Sequence, residues 1–298
     1  MTLNWFVLNR KNLPFSLNHL YRVTGLTKQA MHQWKARQDN KNEEWNQILP
    51  LIYNIRTEHP GMSARVMYHL IQPQTLGRDQ FIEHCMATGF KLEVKRNPTK
   101  TTDSTGVKRF PNLIKGRKTN RINQVWVSDI TFYQIQDRFY YLTFIMDIKS
   151  RFIVGHQVSK SLRTEDTTLP SLSKALKNHF FSGKGLTFHS DGGGQYYCKK
   201  FLELTKVHKI KNSMTQDLGE NNHAERINGT IKNQYLKYYM PTSFDELKTQ
   251  VDRAVKNYNY SKPHENLQKA TPSMIYGVWS DSALSYQYKM YNKLGKTH

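Results

Sequence analysis

Cysteine, acidic residues and long apolar runs are all scarce in this sequence, and each shortage excludes a class of protein. The two cysteines, Cys85 and Cys198, lie far apart and belong to no CxxC pair, so neither a disulfide framework nor a zinc module is supported. A reducing, cytoplasmic setting is therefore expected. No apolar stretch approaches the roughly 18 residues that a membrane-crossing helix needs, and between Met1 and Leu20 the apolar positions are interrupted by Asn9, Arg10, Lys11 and Asn12. Neither export nor membrane insertion is expected. No solenoid-period repeat or low-complexity tract is present.

The shortage of acids is the most informative of these. Against 23 Asp and Glu stand 44 Lys and Arg, a formal charge of +21 over 298 residues. Such an excess attracts polyanions and steers their approach, which makes nucleic acid the leading partner. An aromatic content of 12% argues for packed cores rather than a disordered basic tail.

The chain reads in five parts. Within residues 1–42, the stretch His19 to Lys35 predicts a short helix, a turn at Thr24-Gly25 and a second helix capped by Thr27, a helix-turn-helix pattern. Lys28, Gln29, His32 and Gln33 would face outward from the second helix with the chemistry needed for phosphates and base edges. An ordinary helical hairpin would read the same way. Residues 43–90 predict a second small helical unit, with helices over Trp45 to Arg56, Ser63 to Ile71 and Gly77 to Thr88. Residues 91–121 hold ten basic residues against two acidic ones and little periodicity. They read as a basic linker in which Lys115, Arg117 and Lys118 track a phosphate backbone or remain a solvated tether. Residues 122–277 form the main domain, and 278–298 a C-terminal tail.

That main domain opens with three strand-like runs, Gln124 to Ile135, Phe139 to Ile148 and Arg151 to Val158, which predict an antiparallel meander. A helix within Glu165 to Phe180 follows, then a strand ending at Asp191, a helix from Lys199 to Val207, a strand through Ile210 to Met214 and a long helix from Asn221 to Tyr239. A helix from Phe244 to Tyr258, capped by Ser243, and a short one ending at Tyr276 complete it. The order is that of a ribonuclease-H-like α/β core: a mixed five-stranded sheet with helices on both faces, preceded by all-α helix-turn-helix domains.

Three acids occupy telling places in that order. Asp129 lies inside an otherwise alternating strand, where a carboxylate is costly unless exposed or liganded. Asp191 stands at a strand end before Gly192-Gly193-Gly194, which lets a backbone or phosphate approach closely. Glu225 shares a polar helix stripe with Asn221, Asn228 and Lys232. Three carboxylates can hold two divalent cations about 4 Å apart, the arrangement that activates a nucleophile and stabilises a leaving oxygen in phosphodiester chemistry. Hard oxygen donors suit Mg²⁺, with Mn²⁺ as a substitute. Asp147, explicable as a turn cap, and Glu220, favoured anyway near a helix N-terminus, compete for membership. Lys232, with Asn228, is placed to touch a DNA phosphate, or the two belong to a solvated helix face.

The segments Trp126-Val127-Ser128-Asp129-Ile130-Thr131, His189 to Tyr196, Asn222 to Lys232 and Tyr258-Asn259-Tyr260 with Lys262-Pro263-His264 together resemble the DDE transposases of bacterial insertion sequences, of the open-reading-frame-B type with a retroviral-integrase-like core. The resemblance implies that Asp129, Asp191 and Glu225 are the metal-binding catalytic triad of a transposase. It further implies double-stranded DNA partners, both the terminal repeats of the element and the target, a homo-oligomer on DNA and association with the bacterial nucleoid. An upstream reading-frame product is a further candidate partner. Between Asp191 and Glu225 lie 33 residues, two fewer than is usual in that family, the shortening falling between Gln216 and Asn222. A ribonuclease-H-type nuclease, or a transposase-derived DNA-binding protein that has lost catalysis, remains an alternative at this level.

Overall fold

The computed structural model describes residues 9–277 apart from 13, 15, 94–108, 179–182 and 216–220. The expected C-terminal tail, the middle of the basic segment, Glu220 and most of the shortened loop therefore lie outside the described residues.

Hydroxyl caps start the first helices. Ser16 accepts from the His19 N–H to open α1 (Leu17–Thr24), and Gly25 closes it at φ 68°, a left-handed conformation that glycine adopts without steric cost. Thr27 then caps α2 (Lys28–Glu58) by accepting from the Ala30 N–H at 3.0 Å. This helix is one rod of 31 residues. It runs straight through the 42/43 junction, where two separate helices are expected from the sequence, because no glycine or proline interrupts Lys28 to Leu49. Its later part, through Trp45, Ile48, Ile52 and Ile55, shares a core with α3 (Ala64–Ile71) and α4 (Arg78–Ala87). From Lys28 to Glu44 only Met31 is buried.

The rest is a three-layer sandwich. Its elements are β1 (Val125–Ile135), β2 (Arg138–Asp147), β3 (Ile153–Ser159), α5 (Thr168–Asn178), β4 (Thr187–Ser190), α6 (Lys199–Val207) and β5 (Lys211–Met214). After them come α7 (Asn222–Ile231), α8 (Phe244–Tyr260) and α9 (Pro272–Tyr276). The sheet order is β3-β2-β1-β4-β5, with β1 antiparallel to β2 and parallel to β4. This is the mixed five-stranded sheet expected from the sequence. Strand alternation divides the core: Val125, Val127 and Phe144 pack with Ile227, Ile231 and Val251 of α7 and α8, while Trp126, Ile145 and Phe188 pack with Leu172 and Phe201 of α5 and α6. Pro170 is the third residue of α5, where its missing N–H has no intrahelical partner to lose.

The end of the basic segment is pinned rather than free. Leu113 N–H donates to Ser213 Oγ at 2.9 Å, Ile114 packs against the sheet core, and the Arg109 guanidinium lies 4.2 Å from the Tyr197 ring. Apolar residues at 113 and 114 make that docking favourable, and the sequence reading of a tether stops short of it.

The helical part docks onto the sandwich at one irregular turn. Beyond α7 the helix widens into a π-helical turn over Lys232–Leu236 before a last α-turn, Lys237–Tyr239. Such a turn leaves a carbonyl off the regular ladder, and that of Gln234 accepts the Gly61 N–H at 2.9 Å. The approach is close: a Cβ at Gly61 would sit 2.5 Å from Gln234 Cα. Beside it the buried His59 uses both ring nitrogens, Nδ1 to the Tyr235 hydroxyl at 2.9 Å and Nε2 to Ser261 Oγ at 3.0 Å. The Glu58 carbonyl accepts from Tyr239 and from Asn257.

Gly61→Ala is expected to destabilise the chain by about 1–3 kcal/mol through overpacking against backbone, read as a lowered midpoint in denaturant. His59 is held down to about 3 by burial and by the nearby Lys262 charge. Its folded value lies below the ordinary one near 6.5, so its contribution is complete above that pH and is lost as pH falls towards 3, at on the order of 1 kcal/mol per unit. Equilibrium unfolding from pH 7 to 4 should show this slope, and His59→Gln should flatten it; an unchanged slope would reject the assignment.

Candidate functional site

The register of two parallel strands brings the first two acids together. Ser128 of β1 is aligned with Ser190 of β4, so Asp129, still within β1, and Asp191, the first residue past β4, come side by side. Gly192 to Gly194 then turn the chain away, and the Gly193 N–H donates to Asp191 Oδ1 at 3.2 Å. Glu225, in the first turn of α7, approaches from the helix that covers this face of the sheet. Its side chain is exposed, whereas Asp129 and Asp191 are partly buried.

Burial, more than repulsion, sets the acidity of the two aspartates. Burial raises the Asp129 carboxyl to about 7; the charge of Asp191 adds to this, and Glu225 adds less, against donation from the Ile130 N–H and from Asn228. Burial also raises Asp191, which the Gly193 N–H partly offsets. Beneath them the buried Tyr196 hydroxyl meets Ser128 Oγ at 2.9 Å, its ionisation opposed by burial and then by the two aspartates. Among the described residues no three His, Cys, Asp or Glu side chains stand close enough together to hold a metal ion. The acids are electrostatically coupled but not drawn into one shell, and Glu225 is the exposed member of the three.

Two asparagines of the helix stripe serve this centre from within. Asn228, one turn after Glu225, is buried and donates Nδ2–H to Asp129 Oδ2 at 2.9 Å. Expected from the sequence at a DNA phosphate, the side chain here faces the sheet and orients a carboxylate. Asn221 donates to the Ser128 carbonyl at 3.0 Å, fixing the start of α7 to β1. Lys232 is likewise drawn inward, with Nζ 3.3 Å from Thr131 Oγ1 and 4.9 Å from the Phe132 ring centre. Desolvation lowers its pKa.

The other expected contacts lie on separate elements. Lys28, Gln29, His32 and Gln33 are all exposed near the start of α2, and Lys115, Arg117 and Lys118 are exposed on the segment before β1. Asp147 is fully buried and accepts from Ser150 and from the Asn123 N–H, a turn-capping role that explains its acid without the site. Sequence reasoning missed Tyr196 and the inward roles of Asn221 and Asn228. The signal for the latter was two asparagines seven residues apart on one helix stripe, but the pattern alone does not say which way the stripe faces.

The donor set around Asp129 is oxygen only, and its crowding of negative charge suits a hard divalent cation. No helix of the described residues is long and apolar enough to cross a membrane.

Two models, each described as integrase core domain, match residues 119–217 and 208–272. They overlap over residues 208–217, which contain β5, and together span the three acids. A protein of insertion element IS600 from Shigella sonnei is 25% identical over 85% of this chain and 95% of its own length. The transposase of insertion sequence element IS629 from the same organism is 36% identical over 38% of each chain. The HTLV-2 integrase catalytic core domain, solved with magnesium, is 23% identical over 52% of this chain and 97% of its own, with a TM-score of 0.42. Residues 119–272 therefore form an integrase core domain, and the chain is similar over most of its length to proteins of bacterial insertion sequences.

Proposed function

We propose that Asp129, Asp191 and Glu225 form the catalytic centre and together hold two Mg²⁺ ions, for which Mn²⁺ can substitute. The observation that carries this reading is the coupling of Asp129 to both other acids. Burial and like charge raise its affinity for any positive partner, and a divalent cation answers that demand better than a proton does. Bound there, the ions would supply nucleophile activation and charge stabilisation at the leaving oxygen. Asp129, whose carboxyl feels the charge of both other acids, would be the central ligand of the set.

The chain's own residues do the positioning. Asn228 and the Ile130 N–H hold the two oxygens of Asp129, and the Gly193 N–H orients Asp191. The glycines after Asp191 leave space in which a DNA strand can reach the acids without meeting a Cβ. Water would cut one strand at each end of the mobile element, and the freed 3′-hydroxyl would then attack target DNA.

Around this centre the exposed basic surfaces bind the duplex. Lys28, Gln29, His32 and Gln33 would read the element ends from α2, while Lys115, Arg117 and Lys118 follow the backbone. The division into helical parts, 1–42 and 43–90, a basic segment, a core at 122–277 and a tail is kept as a functional one, although α2 joins the first two parts physically. Pairing of two element ends calls for at least two copies of the chain on DNA, at the nucleoid, with an upstream reading-frame product as an additional component.

Asp191→Asn should reduce Mg²⁺-dependent strand transfer between labelled oligonucleotides by roughly 1,000-fold, a loss of several kcal/mol of transition-state stabilisation, while binding without divalent cation is retained. Undiminished joining would remove the central claim. Asn228→Ala should lower the same activity about 10–100-fold, as loss of a group that orients a ligand does. The salt dependence of DNA binding should not change in that variant; a slope reduced by about one would return Asn228 to the phosphate backbone.

A further inference from the structure

On the face of α7 opposite Glu225 lies a cavity of about 250 Å³. Residues His223, Arg226 and Thr230 reach it from the helix, as the 3.6-residue repeat requires for a second face. Arg151 enters from the turn between β2 and β3, and Lys262 and His264 from the stretch after α8, while Val66 of α3 closes the wall on the helical side.

The cavity collects positive charge with little to balance it. Among the described residues none of Arg151, Arg226 and Lys262 forms an ion pair. Arg151 donates to His223 Nδ1, and Lys262 to the neutral amide oxygen of Gln234. The one carboxylate in the lining, Glu265, is exposed and already paired with Lys269. Asp147, whose charge reaches Arg151, is occupied by Ser150 and Asn123. His264 Nε2 is buried without a hydrogen-bond partner. Burial lowers Lys262 to about 8, and His264 is lowered to about 3 by burial and then by the charges of Lys262 and Arg151. Unopposed like charges in a half-closed space are costly, and an anion relieves them.

Size limits that anion. The volume is below the roughly 300–1,000 Å³ of sites for drug-sized ligands, which suits a phosphate group rather than a base or a whole nucleotide. Two guanidinium groups provide the planar fork that phosphate oxygens accept.

We infer that this cavity is a phosphate-binding site, separate from the carboxylate centre, which takes a backbone phosphate of DNA through Arg151, Arg226 and Lys262. The choice of DNA rests on the proposed function. The cavity lies between the helical part and the catalytic core, both of which that reading places on DNA, and the exposed Arg226 directly follows Glu225.

The test uses the full chain without divalent cation. Binding of a labelled duplex is measured across a salt series for the wild type, Arg226→Gln and Lys262→Gln, alongside thermal shifts produced by inorganic phosphate. Each substitution should lower the slope of log K against log salt by about one, and each should diminish the phosphate-induced shift. Loss of the shift with an unchanged slope would keep the phosphate site and overturn its assignment to DNA. Unchanged slope and unchanged shift would overturn the proposal altogether. Arg226 is exposed, so Arg226→Gln carries the test even if Lys262→Gln fails to fold. Because no metal is needed, a chain that shows the slope change yet never joins strands leaves the pocket standing and rejects the catalytic reading, and the converse also holds.

Discussion

The alignment of Ser128 with Ser190 in the parallel pair β1 and β4 is the constraint on which the site depends. A one-residue slip would turn Asp129 to the opposite face of the sheet, away from Asn228 and α7. The register is held by what lies on either side of it. Val125 and Val127 are committed to one core and Trp126 and Phe188 to the other, while the Ser128 hydroxyl is fixed between the Phe144 carbonyl and Tyr196. Two acids are thereby kept adjacent despite their repulsion, with the burial of the surrounding apolar side chains offsetting the cost.

The second organising feature is α7, which serves three neighbours with three faces. Its apolar side, Ala224, Ile227 and Ile231, seals the sheet. Its asparagine stripe orients Asp129 and anchors Ser128, and Arg226 with His223 opens onto the basic cavity. The π-helical turn that follows offers the Gln234 carbonyl to Gly61 and the Tyr235 hydroxyl to His59. The helix carrying Glu225 is thus tied directly to the helical part of the chain. π-turns are costly interruptions that recur near functional sites, and here the interruption is what allows docking.

Much of the fold was legible because its signals are local. The alternation of Val125 to Ile135, the turn at Gln136-Asp137 and the hydroxyl caps at Thr27, Ser63 and Ser243 each state an element's type or start within a few residues. The long α2 was not legible as one helix, since Asn40 to Glu44 are polar and read equally well as a connection. The docked end of the basic segment was missed for a similar reason: Leu113 and Ile114 are two apolar residues in a charged stretch, and their partner Ser213 lies far along the chain.

The acids divide in the same way. Sequence alone singled out the three acids proposed to carry the chemistry, because an acid inside an alternating strand, an acid before three glycines and an acid on a helical polar stripe are each anomalous where they stand. Only the tertiary structure decided how they are served. It set Asn228 beside Asp129 rather than on DNA, drew Lys232 onto β1, gave Asp147 to a turn and gathered Arg151, Arg226 and Lys262 around one cavity. The physical reason is range. Propensity, capping and periodicity act over a few residues along the chain, whereas hydrogen bonds and electrostatic coupling act between groups that only strand register and helix packing bring together.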